Sequence, residues 1–287
     1  KLKKFSHILE YLFLKGNLFL IEKVSREKAL AFAETLGSIL YNIPKIKKTS
    51  EENLRFVGLP ENLGKESFVN FVKCAMDFLR SKNFSFEYLE SLFEPPDVNK
   101  VPEGGGILLT AHIGNWELMG ALFSILSGNK LSVVAKPMKN KKVDNLINSI
   151  RARWRIKVIP LGNVLEIVKD LKKDRYVGIL LDQRPKVKEG ILTTFLGRKT
   201  YTNKGAAILS IKTGKPVVPA FCFLEGGKYV VRVYNPIYPE GKSVEELTVE
   251  YTKAIERAVK EHPEQWFWFH RRWKNSPEFK EWKEKNL

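Results

Sequence analysis

The chain has 287 residues, of which 44% are hydrophobic and 28% charged, a balance that suits one large domain, with or without a helical extension, and excludes intrinsic disorder. There are 49 lysine and arginine residues against 32 aspartate and glutamate residues, so the formal net charge is +17. A surface this basic attracts nucleic acid, an anionic membrane or an acidic carrier protein, and composition leaves all three open.

The first apolar segment covers residues 8–21 and is interrupted by polar and charged residues at positions 10, 15 and 17. It falls short of the roughly 18 to 20 uninterrupted apolar residues that span a bilayer. Because lysines precede it, we expect a helix lying in the membrane interface. An amphipathic helix packed on the core is an equally good interpretation.

Residues 1–95 are predicted to form a helical N-terminal region, because apolar residues recur at helical spacing over residues 25–41 and 65–80. From residue 96 to residue 287, short apolar runs alternate with helical stretches, which predicts an α/β core. The fold class predicted is therefore α/β, with a mixed, mainly parallel sheet flanked by helices. Near the C-terminus, the segment QWFWFHRRW (265–273) alternates tryptophan with phenylalanine, a period of two that predicts a buried strand.

The two cysteines, Cys74 and Cys222, lie far apart in apolar runs, and neither has a CxxC partner. This spacing argues against a disulfide framework or a metal site and predicts two buried, reduced side chains. The sequence implies no metal and no redox cofactor.

The strongest local motif is TAHIGNWE, residues 110–117, at the junction of a predicted strand and a helix, where open α/β sheets place their active sites. His112 and Glu117 are five residues apart and would not face each other on one continuous helix. With His112 in a turn, which Gly114 and Asn115 favour, we expect the Glu117 carboxylate to reach the imidazole. His112 would then be a general base, and the hydroxyl it activates would belong to the substrate.

HIGNWE resembles the His-x4-Glu motif of glycerolipid acyltransferases, in the form found in the bacterial lipid A late acyltransferases, which transfer lauroyl and myristoyl groups. Four further blocks resemble that family in the same order, and the resemblance runs from about residue 5 to residue 275. They are PMKNKKVDNLINSIRAR (137–153), GILLDQRP (178–185), FLGRKTYTNKGAAILSIKTGKPVVP (195–219) and HPEQWFWFHRRWK (262–274).

The resemblance implies an O-acyltransferase that moves a fatty acyl chain from an acyl carrier protein or coenzyme A thioester onto a hydroxyl of a lipid A precursor or another glycolipid. It implies lipopolysaccharide-type lipid biosynthesis at an anionic membrane surface, on the cytoplasmic face of the inner membrane. His112 and Glu117 would be catalytic. The residues implied in substrate binding are Arg151, Arg153, Asn115, Asp182, Gln183, Thr202, Lys204 and Arg271.

Several alternatives stay open at this point. Arg151 would serve the reacting centre or an acceptor phosphate, and a solvated helix face is the other interpretation of Arg151 and Arg153. Asp182 would order the loop around the site or form a purely structural turn. A thioesterase, in which the same base activates water, and a catalytically silent lipid-binding protein are the rival functions. No nucleic-acid-binding module is visible.

Overall fold

The computed structural model of the protein describes Gly16 and residues 21–286. The expected interfacial helix over residues 8–21 lies almost entirely outside this part of the chain. Among the described residues, no helix is both long enough and apolar enough to cross a bilayer.

Helices dominate the first part of the chain and then alternate with strands. The helices are α1 (Arg26–Leu40), α2 (Pro44–Val57), α3 (Asn62–Arg80), α4 (Phe86–Ser91), α5 (Trp116–Leu126), α6 (Lys141–Arg153), α7 (Val164–Leu171), α8 (Gly205–Thr213), α9 (Val244–Glu261) and α10 (Pro277–Asn286). The strands are β1 (Gly106–Thr110), β2 (Leu131–Ala135), β3 (Lys157–Pro160), β4 (Tyr176–Leu180), β5 (Gly190–Phe195), β6 (Arg198–Asn203), β7 (Val217–Glu225) and β8 (Lys228–Val233).

The main sheet has six strands in the order β3-β2-β4-β1-β7-β8. All neighbouring pairs are parallel except β7 and β8, which are antiparallel. The predicted fold class, α/β with a mixed, mainly parallel sheet, is confirmed. In such a sheet the loops that follow the parallel strands all lie along one edge, and β1 is central, with β4 on one side and β7 on the other.

The core fills both faces of the sheet, because successive side chains of a strand point to opposite faces. Ile107 and Leu109 of β1 belong to one buried cluster, shared with residues of α2, α7, α8 and α9. Leu108, between them, belongs to a second cluster with residues of α3, α4, α5 and α6. The helical N-terminal region thus packs on the same clusters as the sheet, and the predicted division near residue 95 stays a prediction. Cys74 and Cys222 are buried in the second cluster, as expected.

Capping residues in the sequence explain where several of the helices begin. Ser25 caps α1 by accepting a hydrogen bond from the Lys28 N–H at 3.4 Å, and Ser243 with Glu246 forms a full capping box at α9. Asn115 caps α5, accepting from the Leu118 N–H at 3.1 Å.

Two parts of the sequence-based prediction were wrong. The antiparallel hairpin of β5 and β6 was not predicted from the sequence. The segment from Trp266 to Arg272 is not a strand. It is a series of tight turns with N–H groups bonded two residues back, from Trp268 to the Trp266 carbonyl at 2.9 Å and from Arg272 to the His270 carbonyl at 2.8 Å. The alternation of rings reflects the burial of Trp266 and Trp268, not an extended backbone.

Gly114, in the turn after β1, has a positive φ of 51°, and a Cβ added there would lie 1.8 Å from the Cys222 carbonyl oxygen. Gly114→Ala is therefore expected to cost several kcal/mol of unfolding free energy or to prevent folding. Gly128→Ala is the matched control, because its φ is 67° but no atom lies within 4 Å of the added Cβ. The control should cost only about 1–2 kcal/mol in urea unfolding. Equal costs for the two variants would contradict the close approach of this turn to β7.

Candidate active site

The turn that carries His112 follows β1 at the centre of the sheet and is held on two sides. The Gly114 N–H donates to the Gln265 carbonyl at 3.1 Å, and the His112 carbonyl accepts from the Phe267 N–H at 3.0 Å. Gly114 also bridges to Cys222 of β7. Because backbone contacts fix this turn, the imidazole of His112 has a defined position at the carboxyl edge of the sheet.

His112 is oriented by a buried carboxylate from a neighbouring strand. Its Nδ1 lies 2.8 Å from Oδ1 of Asp182, which follows β4. The other carboxylate oxygen of Asp182 accepts a hydrogen bond from the Trp266 indole N–H at 2.9 Å. Since an ionised carboxylate only accepts hydrogen bonds, His112 carries its proton on Nδ1 and keeps Nε2 free as an acceptor.

Asp182 is 2% exposed and nevertheless ionised. Burial alone would raise its pKa, but the adjacent His112 and the hydrogen bonds from His112 and Trp266 lower the pKa to about 2. A carboxylate that stays charged next to an imidazole stabilises the imidazolium formed when the ring takes up a proton.

The expectation that the Glu117 carboxylate contacts His112 was wrong in this structure. Glu117 instead forms a two-pronged ion pair with Arg151, whose Nε and Nη2 lie 3.0 Å and 2.5 Å from the two carboxylate oxygens. Arg151 also donates to the Asn148 side chain at 3.1 Å. The physical reason is geometric, because planar guanidinium and carboxylate groups match each other along two parallel hydrogen bonds. Glu117 lies in the first turn of α5, as the sequence predicted, but there it faces Arg151 of α6 and not His112.

The exposed side of His112 is bordered by aromatic rings and by one amide. The ring centroid of His112 lies 5.0 Å from that of Trp116 and 5.5 Å from that of Phe267. Phe71 contacts both of these rings. The Gln183 Nε2 lies 3.4 Å from the His112 Nε2. The His112 side chain is 23% exposed. It reaches solvent between the rings of Trp116 and Phe267, beside the Gln183 amide.

Asn115 is buried and does not face a substrate. Its amide nitrogen donates to the Cys74 carbonyl at 3.1 Å and to the Tyr229 hydroxyl at 2.9 Å. Tyr229 in turn donates to Asp77 at 2.8 Å, and Arg26 donates to the same carboxylate at 2.9 Å. This buried network ties the turn that carries His112 to α1, α3 and β8.

The remaining residues implied in substrate binding are dispersed. Arg153 donates to the carbonyls of Lys82 at 2.9 Å and Phe84 at 2.8 Å, so it anchors α6 to the helical region. Thr202 is buried, and its hydroxyl lies 2.9 Å from that of Thr193. None of these contacts brings Arg153 or Thr202 to the imidazole.

Lys204 precedes α8, and its backbone N–H bonds the Glu189 carbonyl at 3.2 Å. Arg271 is exposed and lines a surface cavity of about 490 Å³ between α2 and α10, together with Lys45 and Lys274. This cavity is separate from the exposed side of His112.

Sequence reasoning missed Arg272 as a positioning residue. It is 1% exposed and donates to the carbonyls of Gln183 at 3.3 Å and Tyr201 at 2.7 Å, and to the Thr202 hydroxyl at 2.8 Å. Burial lowers the pKa of Arg272 to about 10. The paired arginines in the sequence signalled a basic cluster but not which of the two is buried. Burial also lowers the pKa of neighbouring His270 to about 4, so this second imidazole is neutral at neutral pH.

Comparison with known proteins identifies the family. The model of the family described as bacterial lipid A biosynthesis acyltransferase matches residues 1–275. The chain belongs to this family. The resemblance seen in the sequence motifs is thereby confirmed.

Similar curated relatives include the phosphatidylinositol mannoside acyltransferase of Mycobacterium tuberculosis (strain ATCC 25618 / H37Rv), 22% identical over 173 residues, covering 59% of this chain and 54% of the relative. The corresponding protein of Mycolicibacterium smegmatis is 23% identical over 173 residues, covering 59% of this chain and 57% of the relative. The chain thus spans little more than half the length of the curated relatives it matches.

A solved structure is also similar to this family member. It is the 1-acyl-sn-glycerophosphate (LPA) acyltransferase PlsC from Thermotoga maritima, with a TM-score of 0.42 and 16% identity, covering 84% of this chain and 99% of that one.

Tyr229→Phe tests the buried network behind the turn. The change leaves the Asn115 amide and the Asp77 carboxylate each without one buried hydrogen bond, which should cost about 2–3 kcal/mol of unfolding free energy. Tyr88→Phe is the control, because the hydroxyl of Tyr88 is exposed and has no hydrogen bond within residues 21–286. A cost for Tyr229→Phe no larger than for the control would show that the network does not hold the turn.

The acid stability of the protein tests the charge on Asp182. Its pKa is about 2 in the folded protein against an ordinary value of 3.8, so the charged dyad contributes stability that is present above about pH 4 and lost as the pH falls towards 2. Wild type should therefore lose about 2 kcal/mol more than Asp182→Asn over this range, measured by urea unfolding at each pH. The same loss in both proteins would mean that Asp182 is not held ionised by His112.

Proposed function

We propose that the protein is an O-acyltransferase that transfers a fatty acyl group from a thioester to a hydroxyl of a lipid or glycolipid acceptor, with His112 as general base and Asp182 as its partner. The observation that carries this proposal is the bond from His112 Nδ1 to the buried Asp182 carboxylate, which leaves Nε2 unprotonated on the exposed side of the ring. Family membership supplies the reaction class.

In the proposed reaction, the acceptor hydroxyl approaches Nε2 of His112 and its oxygen forms a bond to the thioester carbonyl carbon. Nε2 takes the hydroxyl proton as this bond forms, and the carbonyl electrons move onto oxygen to give a tetrahedral oxyanion. When the oxyanion collapses, the carbon–sulfur bond breaks and the thiolate leaves. The proton on His112 passes to the thiolate, so the ring returns to its neutral form.

The oxyanion requires preorganised donors. Gln183 is a side-chain donor beside Nε2, with its amide nitrogen 3.4 Å away. Arg272 fixes the Gln183 backbone from behind. We assign to Gln183 a donor role towards the reacting carbonyl or the acceptor.

Glu117 acts, in this proposal, through Arg151 rather than through the imidazole. Their ion pair joins the first turn of α5 to the last turn of α6, and α5 begins directly after the turn that carries His112. Both side chains are mostly buried, with exposed fractions of 19% and 16%. Removing Glu117 would leave an unpaired guanidinium and shift the start of α5, which is the route by which Glu117 supports activity.

The acceptor and its location are also part of the proposal. The aromatic border of Trp116, Phe267 and Phe71 suits an acyl chain, since these rings are half-buried around the imidazole. The curated relatives are named for acylating phosphatidylinositol mannosides, and the family for lipid A. We propose a glycolipid acceptor of this kind, an acyl carrier protein or coenzyme A donor, and action at the cytoplasmic face of the membrane.

A transfer assay with labelled donor tests the activity. Radiolabelled acyl groups are supplied as acyl carrier protein and as coenzyme A thioesters, with and without a total lipid extract. Labelled lipid that depends on His112 would support acyl transfer and reveal the acceptor. Release of free fatty acid alone, even with the extract present, would indicate a thioesterase, and no product with either donor would favour a lipid-binding protein.

Substitutions at the dyad should act on turnover. His112→Ala is expected to lower kcat by about 10² to 10⁴, the usual contribution of a general base. Asp182→Asn should lower kcat by at least about 10², because the ring loses its fixed tautomer. Asp170→Asn is the matched control, since Asp170 is a buried carboxylate bonded to Ser132 at the start of β2, on the opposite edge of the sheet. Near wild-type kcat in Asp182→Asn would remove Asp182 from the mechanism.

A further inference from the structure

Two loops on the edge of the sheet that carries His112 expose aliphatic side chains. Leu161 and Leu165, in the loop after β3 and the first turn of α7, are 63% and 83% exposed, and Val164 between them is also exposed. Met138, in the loop after β2, is exposed as well. These four residues are called the apolar rim below. Three of them fall within five consecutive positions, so they form a contiguous patch rather than scattered surface residues.

The two loops are adjacent. Strands β3 and β2 are neighbours in the sheet, and the Leu161 N–H donates to the carbonyl of Ala135, the last residue of β2, at 2.9 Å. The apolar rim is therefore one surface. The fold itself does not require aliphatic residues at these positions, because Asn163 already caps α7 and the α7 residues that enter the core are Ile167 and Leu171.

Lysines surround the apolar rim. Lys136 and Lys139, in the loop after β2, and Lys141, the first residue of α6, are exposed, and none forms an ion pair with a carboxylate among the described residues. The nearby carboxylates are already engaged, since Asp144 accepts the Met138 N–H at 3.0 Å and Glu166 pairs with Lys157 at 2.9 Å. An aliphatic patch bordered by unpaired lysines is complementary to the acyl region and anionic headgroups of a bilayer.

The apolar rim shares its edge with the dyad. The strand order places β4 alone between β2 and β1, so the ends of β2 and β1 are separated by about 10 Å at the spacing of neighbouring strands. His112 follows β1 and Asp182 follows β4. A surface that enters a bilayer at the ends of β2 and β3 would turn the exposed side of His112 towards the same lipid.

We propose that Met138, Leu161, Val164 and Leu165 insert into the headgroup region of an anionic bilayer, with Lys136, Lys139 and Lys141 bound to lipid phosphates, and that this docking presents the dyad to acceptors in the membrane. The inference rests on the proposed function for its lipid acceptor. The docking itself is measured without any acyl transfer.

A site-specific probe tests insertion. The native thiols of Cys74 and Cys222 are buried, and burial raises the pKa of Cys74 to about 12, so a cysteine added at Leu165 is the one that labels. Leu165→Cys carries an environment-sensitive fluorophore, and the protein is mixed with vesicles of phosphatidylglycerol and phosphatidylcholine in equal parts. The emission should shift to the blue and be quenched by lipids brominated in their acyl chains.

Ile211→Cys is the matched control. Ile211 is an exposed aliphatic residue of α8, which ends just before β7 begins and so lies towards the opposite edge of the sheet. Its probe should be unaffected on the same vesicle-bound protein. Equal quenching of the two probes, or no quenching of the Leu165 probe on bound protein, would overturn the proposal. A Leu165 probe that responds to an acidic acyl carrier protein but not to vesicles would also overturn it.

Acidic substitutions in the apolar rim give a second measurement. Leu161→Asp combined with Leu165→Asp should weaken binding to the same vesicles by about tenfold or more, from the apolar burial lost at two leucines. Both side chains are on the surface, so folding should be preserved, as checked by the unfolding transition. Unchanged vesicle affinity would contradict docking by this surface. Insertion without any His112-dependent transfer would retain the docking surface and reject the proposed function.

Discussion

The buried carboxylate of Asp182 is the constraint on which the site depends. A charge that is 2% exposed must have partners that replace water, and Asp182 has two, the imidazole of His112 and the indole of Trp266. Meeting this requirement fixes three separate segments of the chain against one another. These are the turn after β1, the turn after β4 and the turns that begin at Trp266. The same contacts orient the imidazole for proton transfer, so the stability of the site and its chemistry have one physical origin.

Two charged pairs near the turn have separate roles, whereas the sequence motif predicted a single dyad of His112 and Glu117. Asp182 orients His112, whereas the ion pair of Glu117 and Arg151 connects α5 to α6. Behind them, the network through Asn115 and Tyr229 joins the turn to the helical region. A general base must be held in a fixed position, and these contacts hold the backbone that carries His112.

The fold class and the position of His112 at the end of a central strand were predicted correctly from the sequence. Both depend on local signals, namely the spacing of apolar residues and the change after residue 95 from helical spacing to short apolar runs that alternate with helical stretches. It could not predict the partner of His112. Asp182 is 70 residues away along the chain, and the contact arises only because β1 and β4 pair in the sheet. The family resemblance implied Asp182 and Gln183 in substrate binding but did not predict that they contact His112. The segment from Trp266 was misread as a strand, since a period of two in apolar residues describes burial and does not by itself fix backbone conformation.

The central claim is that Asp182, and not Glu117, fixes the proton of His112 on Nδ1. The most direct measurement is ¹⁵N NMR of the histidine rings, with the His112 signals assigned from a His112→Gln variant, in wild type, Asp182→Asn and Glu117→Gln. For the neutral ring the account predicts a protonated Nδ1 and an unprotonated Nε2 in wild type and in Glu117→Gln, and a mixture of tautomers in Asp182→Asn. A fixed tautomer that survives in Asp182→Asn but is lost in Glu117→Gln would contradict it.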